Sequence, residues 1–159
     1  MDELFAVTKG LVEGAIKRFG VDAEGVRAKD EERGPRDPER VETASWTLTR
    51  GSAFVLVSVV KRPEQKAVFL RIVSPIMTLP DPDRHLALFH RLLELNANGL
   101  VNACFGLLGE RVVVVSERPA AGLDANEVEQ VIKHTSAVAD TYDDRLVAEF
   151  GGKRASDRS

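Results

Sequence analysis

An α+β fold of element order α-β-β-β-α-β-β-α is predicted for this chain by three observations. Apolar residues recur at spacings of three and four in three separate stretches, the signature of amphipathic helices. Runs rich in β-branched residues, bounded by turn residues, fall into one group of three and one of two. No internal repeat and no second core interrupts the order, and 159 residues fit one domain able to bury about 70% of its unfolded surface. Five mostly antiparallel strands with helices packed against them follow as the layer arrangement.

The first helix is read over residues 4 to 19, where Leu4, Phe5, Leu11, Val12, Ala15, Ile16 and Phe19 form one stripe and Gly20 stops it. Residues 21–42 then lose the helical period. They carry the run from Arg27 to Pro38, charged and broken by two prolines, which reads as an exposed, mobile connection. Ser45 to Arg50 alternates Trp46 and Leu48 with threonines, and Gly51-Ser52 turns the chain into Phe54–Val60. A third strand, Ala67 to Ser74, completes a meander, with Val68, Leu70 and Ile72 on one face. Pro75 and Pro80 bracket residues 76–79, which their prolines make a connector rather than a central strand.

Asp81 followed by Pro82 predicts the cap and first turn of a second helix with Leu86, Phe89, Leu92, Leu93 and Leu95 on a broad apolar face, ended by Asn98-Gly99. Leu100–Leu108 and Arg111–Glu117 make a hairpin across Gly109-Glu110. The second of these strands, apolar on both faces at Val112 to Val115, belongs in the interior. Asp124 and Glu127 start a long helix to Phe150, whose stripe includes Val128, Ile132, Thr135, Tyr142 and Leu146. Residues 151–159 are left as a polar tail beyond the single domain 1–150.

Composition narrows the function classes. Hydrophobic residues are 43% and charged residues 30%, with 22 basic against 25 acidic side chains interspersed along the chain. That balance lacks the basic stripe of a nucleic-acid binder. The longest apolar run, Phe54–Val60, is strand length, so no membrane span is expected, and the acidic start Met1-Asp2-Glu3 argues against export. One cysteine, Cys104, excludes an internal disulfide and suits a reducing cytoplasm. Between Ala103 and Phe105 it reads as a small buried hydrophobe.

Catalytic and cofactor motifs are missing. Neither the glycine pattern of dinucleotide folds nor the phosphate-loop pattern occurs. His85 and His90 are five apart, which does not stack zinc ligands on one helical face. His90 with Glu94 reads as a solvated pair, and Asp140, Asp143 and Asp144 as a solvated acidic face beside Arg145 rather than a cation site. His134 reads as a surface residue, having no nucleophile motif to serve. No catalytic residue, metal or cofactor is assigned. Trp46, the only tryptophan, is either a core anchor or an interface anchor, while Phe54 and Phe69 lean to the core.

The stretch Leu92-Leu93-Glu94-Leu95-Asn96-Ala97-Asn98, the hairpin after it, the segment Val113 to Pro119, and Ala139-Asp140-Thr141-Tyr142-Asp143 on the last helix resemble the YbjN-like domain family of bacteria. The element order is similar to the type III secretion chaperone fold. The resemblance covers residues 84–150 by motif and residues 1–75 by topology. It implies a homodimer or small assembly that holds other polypeptides by apolar patches and sheet edges, with no chemistry. It also implies a dimer contact at Leu88, Leu92 and Leu95 with the strand 100–108. Nothing in the chain specifies a secretion substrate, so the role implied is chaperone-like or regulatory adaptor.

Independently, apolar positions 86, 88, 89, 92, 93 and 95 exceed the stripe of about 100° that covers one side of a sheet. A second copy of the chain, the first helix or the 76–79 connector is expected to cover the excess. The alternative function is a small-molecule sensor with a pocket between sheet and helices lined by Trp46 and Tyr142.

Overall fold

Strand parity and helix capping carry most of the architecture. The structure, a computed structural model, describes residues 1–28 and 42–157. In order along the chain come α1 (Asp2–Arg18), β1 (Thr43–Arg50), β2 (Ala53–Arg62), β3 (Ala67–Thr78), α2 (His85–Asn98), β4 (Cys104–Leu108), β5 (Arg111–Pro119) and α3 (Ala125–Phe150). The strands form one five-stranded sheet of order β1-β2-β3-β5-β4, so β1 and β4 are its edges. The α+β order predicted from the sequence is the order found.

The described residues group into two compact units, and several elements pass from one to the other. The first comprises Met1–Leu48, Leu56–Ile72 and Glu117–Ile132; the second comprises Thr49–Val55, Val73–Ser116 and Lys133–Ser159. In the first unit, Phe5, Val12, Ala15 and Ile16 of α1 are buried, as are Trp46 and Leu48 of β1 and Val57 and Val59 of β2. Gly20 has φ +81°, the left-handed conformation that ends α1 at little steric cost. Ser45 and Ser58 satisfy each other's buried hydroxyls at 2.7 Å. On the other sheet face Glu117 joins two arginines, 2.9 Å from Arg62 and 2.6 Å from Arg71, and the Arg62 guanidinium lies 5.2 Å from the Phe69 ring centroid. Phe69 is thus half-buried under a cation rather than a core residue.

The second unit departs from expectation at β3, which runs through Pro75 to Thr78 although proline donates no backbone hydrogen bond. Ser74 resolves this: its hydroxyl donates to the Phe54 carbonyl at 2.7 Å, supplying a donor beside the proline. Ile76 and Met77, expected in a connector, are buried strand residues. Residues 151–157 are polar as read and lie along the end of β3. Thr78 N–H donates to Lys153 O at 2.9 Å, and Met77 bridges to Arg154. Arg154 is fixed in turn by Asp144 at 2.6 Å and Asp157 at 2.8 Å. Gly152 makes the approach possible: it has φ +86°, and a Cβ there would meet Thr78 O at 2.6 Å.

Helix starts differ in their chemistry. Asp124 and Glu127 cap α3 reciprocally, Glu127 N–H donating to Asp124 Oδ1 at 2.8 Å and Asp124 N–H to Glu127 Oε2 at 2.9 Å. Asp81 makes no side-chain cap; a 3-10 turn over Pro82–Arg84 precedes α2, with Arg84 N–H donating to Asp81 O at 2.9 Å. Of the connection expected over 21–42, residues 29–41 lie outside the described residues. Val26–Ala28 is hydrogen-bonded to β1 rather than free.

Candidate functional site

In the second unit, α2 packs beside the edge strand β4. The helix turns Leu88, Leu92 and Leu95 inward, at 0%, 5% and 8% exposure. Spacings of four and three place these three on one face. Seven residues apart and on another face stand Leu86 and Leu93, exposed at 83% and 68%. Among the described residues, nothing covers the apolar excess of α2 at these two positions. Phe89 is half-buried between the two faces, 5.5 Å from the His85 ring.

The edge strand carries further apolar surface. β4 pairs antiparallel with β5, Phe105 opposite Val114, Leu107 opposite Val112 and Leu108 opposite Arg111. Phe105 is buried and meets Tyr142 of α3 edge to face at 5.4 Å. Leu107 and Leu108 are exposed. The amide of Asn96 closes part of the edge: Phe105 N–H donates to Asn96 Oδ1 at 2.7 Å, and Asn96 Nδ2 donates to Phe105 O at 3.2 Å. One side chain thereby takes the place of a neighbouring strand at Phe105, and by alternation the next outward-facing backbone position is Leu107.

The sequence-predicted interface residues are not among the exposed ones. Leu88, Leu92, Leu95 and Trp46 are buried within the chain. Three hold α2 in place, and Trp46 is a core residue at 0% exposure whose indole N–H has no acceptor among the described residues. Leu86, Leu93, Leu107 and Leu108 are the exposed leucines of α2 and β4. Cys104 is exposed rather than buried, because Phe105 takes the inward parity of a strand at the sheet edge. Phe54 is exposed for the same reason, Val55 and Val57 taking the inward positions of β2.

Polar groups once open to a catalytic or metal reading are otherwise engaged. Asp140 and Asp143 both accept from the Ser52 hydroxyl, Asp143 at 2.8 Å, and Ser52 N–H donates to Asp140 at 3.2 Å. Asp143 is buried, so it and Asp140 brace hairpin to helix, while Asp140 and Asp144 keep the exposure expected of a solvated face. The Ser52 hydroxyl and then its amide hold the Asp140 carboxyl below the usual carboxylate range. His134 Nε2 lies 2.6 Å from Val101 O, and His90 pairs with Glu94 at 2.5 Å on the exposed face of α2. No group of three or more potential metal ligands occurs among the described residues. An open cleft of about 470 Å³ is lined by Arg91, Leu95, Tyr142, Arg145 and Glu149. Trp46, in the other unit and fully buried, offers a ligand no surface. No helix among the described residues is long and apolar enough to cross a membrane.

Comparisons with known proteins agree with this picture. The model of the family described as T3SS (YopN, CesT) and YbjN peptide-binding chaperone 1 matches residues 24–158. No curated protein matches the chain. Among solved structures, the ExsC–ExsE complex is similar at 18% identity and TM-score 0.52, covering 89% of this chain and 93% of the other. The heterodimeric ExoU–SpcU complex of the type III secretion system of Pseudomonas aeruginosa is similar at 12% identity and TM-score 0.52, covering 87% and 96%. The HopA1–SchA chaperone–effector complex matches at 12% identity and TM-score 0.51, covering 91% and 97%. At these identities the structures establish the shared fold.

Proposed function

The chain belongs to the family of type III secretion and YbjN peptide-binding chaperones, and from that premise we propose that it is a non-enzymatic, chaperone-like or adaptor module of the bacterial cytoplasm. It holds a partner polypeptide by apolar patches and sheet edges, and acts as a homodimer with residues 1–150 as one functional domain. The observation that carries this is the pair of exposed leucines on α2, Leu86 and Leu93, in the unit where Leu107 and Leu108 lie exposed on edge strand β4. Large apolar side chains left exposed on one unit are candidates for contact with a partner. A backbone edge partly closed by Asn96 favours side-chain contact over strand addition at β4. The absence of a nucleophile motif and the engagement of His134 with Val101 support a role without turnover. Complexes with protein partners are the form in which similar structures occur, including the chaperone–effector pair HopA1–SchA.

Capture from lysate of the native host tests the proposal, with wild type compared to Leu86→Glu plus Leu93→Glu. A defined polypeptide retained by the wild type and lost by the folded variant is the expected result. Equal retention by both, or none by either, contradicts it. Leu88 and Leu92 are unsuitable as controls, since charges at buried positions would unfold the chain.

A further inference from the structure

In the second unit the outer face of the sheet holds a hollow of about 370 Å³, whose lining includes none of the exposed leucines. Side chains alternate across a strand, so the burial of Val55, Ile76 and Val112 turns their neighbours Phe54, Pro75 and Arg111 to this other face. The strands are held side by side here, the Ser74 hydroxyl donating to Phe54 O at 2.7 Å and Leu79 N–H to Glu110 O at 2.8 Å. A further wall is the C-terminal segment, of which Ala155 and Ser156 line the hollow. It is fixed by Thr78 N–H on Lys153 O and by Arg154 between Asp144 and Asp157. Gly152 lets its backbone approach, since a Cβ there would meet Thr78 O at 2.6 Å.

Small-molecule sites are mostly apolar hollows of about 300–1,000 Å³ with a few convergent polar groups, and this one has that make-up. Phe54, 47% exposed, and Pro75 give it an apolar floor. Among the described residues Arg111 is the one charged side chain in the lining. The side chains of Arg111, Thr49 and Ser156 have no hydrogen-bond or ion-pair partner among the described residues. Ser52, by contrast, is engaged by Asp140 and Asp143, which leaves Arg111 to set the sign of the charge received. A guanidinium presents a planar fork of donors that matches a carboxylate, and a ring against Phe54 gains stacking or edge contact beyond its area burial. At about 30 Å³ per water, the hollow has room for roughly a dozen waters, enough for a two-ring acid. We propose that it is a binding site for a small aromatic carboxylate, held at its anionic end by Arg111, Thr49 and Ser156 and at its ring by Phe54 and Pro75. The site lies outside the protein-binding reading above and does not depend on it.

The probe is naphthalene-2-carboxylate, titrated into the full chain at fixed ionic strength and followed by backbone amide shifts in two-dimensional NMR. Saturable shifts are expected at Gly51, Ser52, Phe54, Arg111, Ala155 and Ser156. Naphthalene-2-methanol, the uncharged counterpart, is expected to bind at least fivefold more weakly. Arg111→Gln should weaken the acid at least fivefold and remove its advantage over the alcohol, and Phe54→Ser should weaken both. Leu86→Glu plus Leu93→Glu is expected to bind the acid as the wild type does. No saturable shift at these amides, equal affinity of the wild type for acid and alcohol, or shifts centred on the exposed leucines overturns the proposal. A folded Arg111→Gln chain that still prefers the acid overturns it too. Acid against alcohol is measured on the wild type alone and decides the matter where a variant does not fold.

Discussion

Asn96 stands between a helix and an edge strand, and its amide pairs with both backbone groups of Phe105. Asn96→Ala strips two partners at once and should lower stability by about 1–3 kcal/mol, read in urea unfolding. Unchanged stability would mean water replaces the amide freely. Gly152→Ala must place a methyl on Thr78 O in a left-handed backbone, and a cost of about 1–3 kcal/mol is expected in the same assay. Asp140, held below its ordinary value near 3.8 by Ser52, contributes stability that is complete above that value and is lost as pH falls through the lower folded value. An NMR titration should find the Asp140 midpoint below 3.8 in the wild type, rising toward it in Ser52→Ala. Asn96 was legible as part of a leucine-asparagine pattern, but its role depends on a residue nine places on. Cys104 and Phe54 were misjudged because composition does not fix strand parity; one register shift exchanges core for surface.

Helix α2 presents two apolar faces with opposite fates. Leu92→Ala should cost about 2–5 kcal/mol through the cavity left in the core, whereas Leu93→Ala should change stability by less than about 0.5 kcal/mol. Thermal or urea melts of the two variants decide this, and equal costs would contradict the assigned orientation. Six apolar positions between 86 and 95 made the amphipathic excess legible in sequence. They fit more than one rotation of the helix, so which leucines faced the core was not. Helix α3 was legible to its first turn because the Asp124–Glu127 box is a local signal. Strand β3 was cut short at Pro75 because its continuation relies on Ser74 reaching across to Phe54, a contact with no local trace.

At the scale of the molecule, five strands in the order β1-β2-β3-β5-β4 leave two edges, and the chain treats them differently. One is met by Val26–Ala28, the other is partly closed by Asn96 and flanked by exposed leucines. Element order was readable because each strand group is local in sequence; the lateral order and the covered edge are tertiary facts. A homodimer through α2 and β4 should scatter light as about twice 17.4 kDa, falling to one copy in Leu86→Glu plus Leu93→Glu. The central claim is that this fold holds a polypeptide, and calorimetric titration of the purified captured partner tests it most directly. Saturable binding at a fixed ratio, with a negative heat-capacity change from apolar burial, is the predicted result; a titration without saturable heat at any temperature would contradict it.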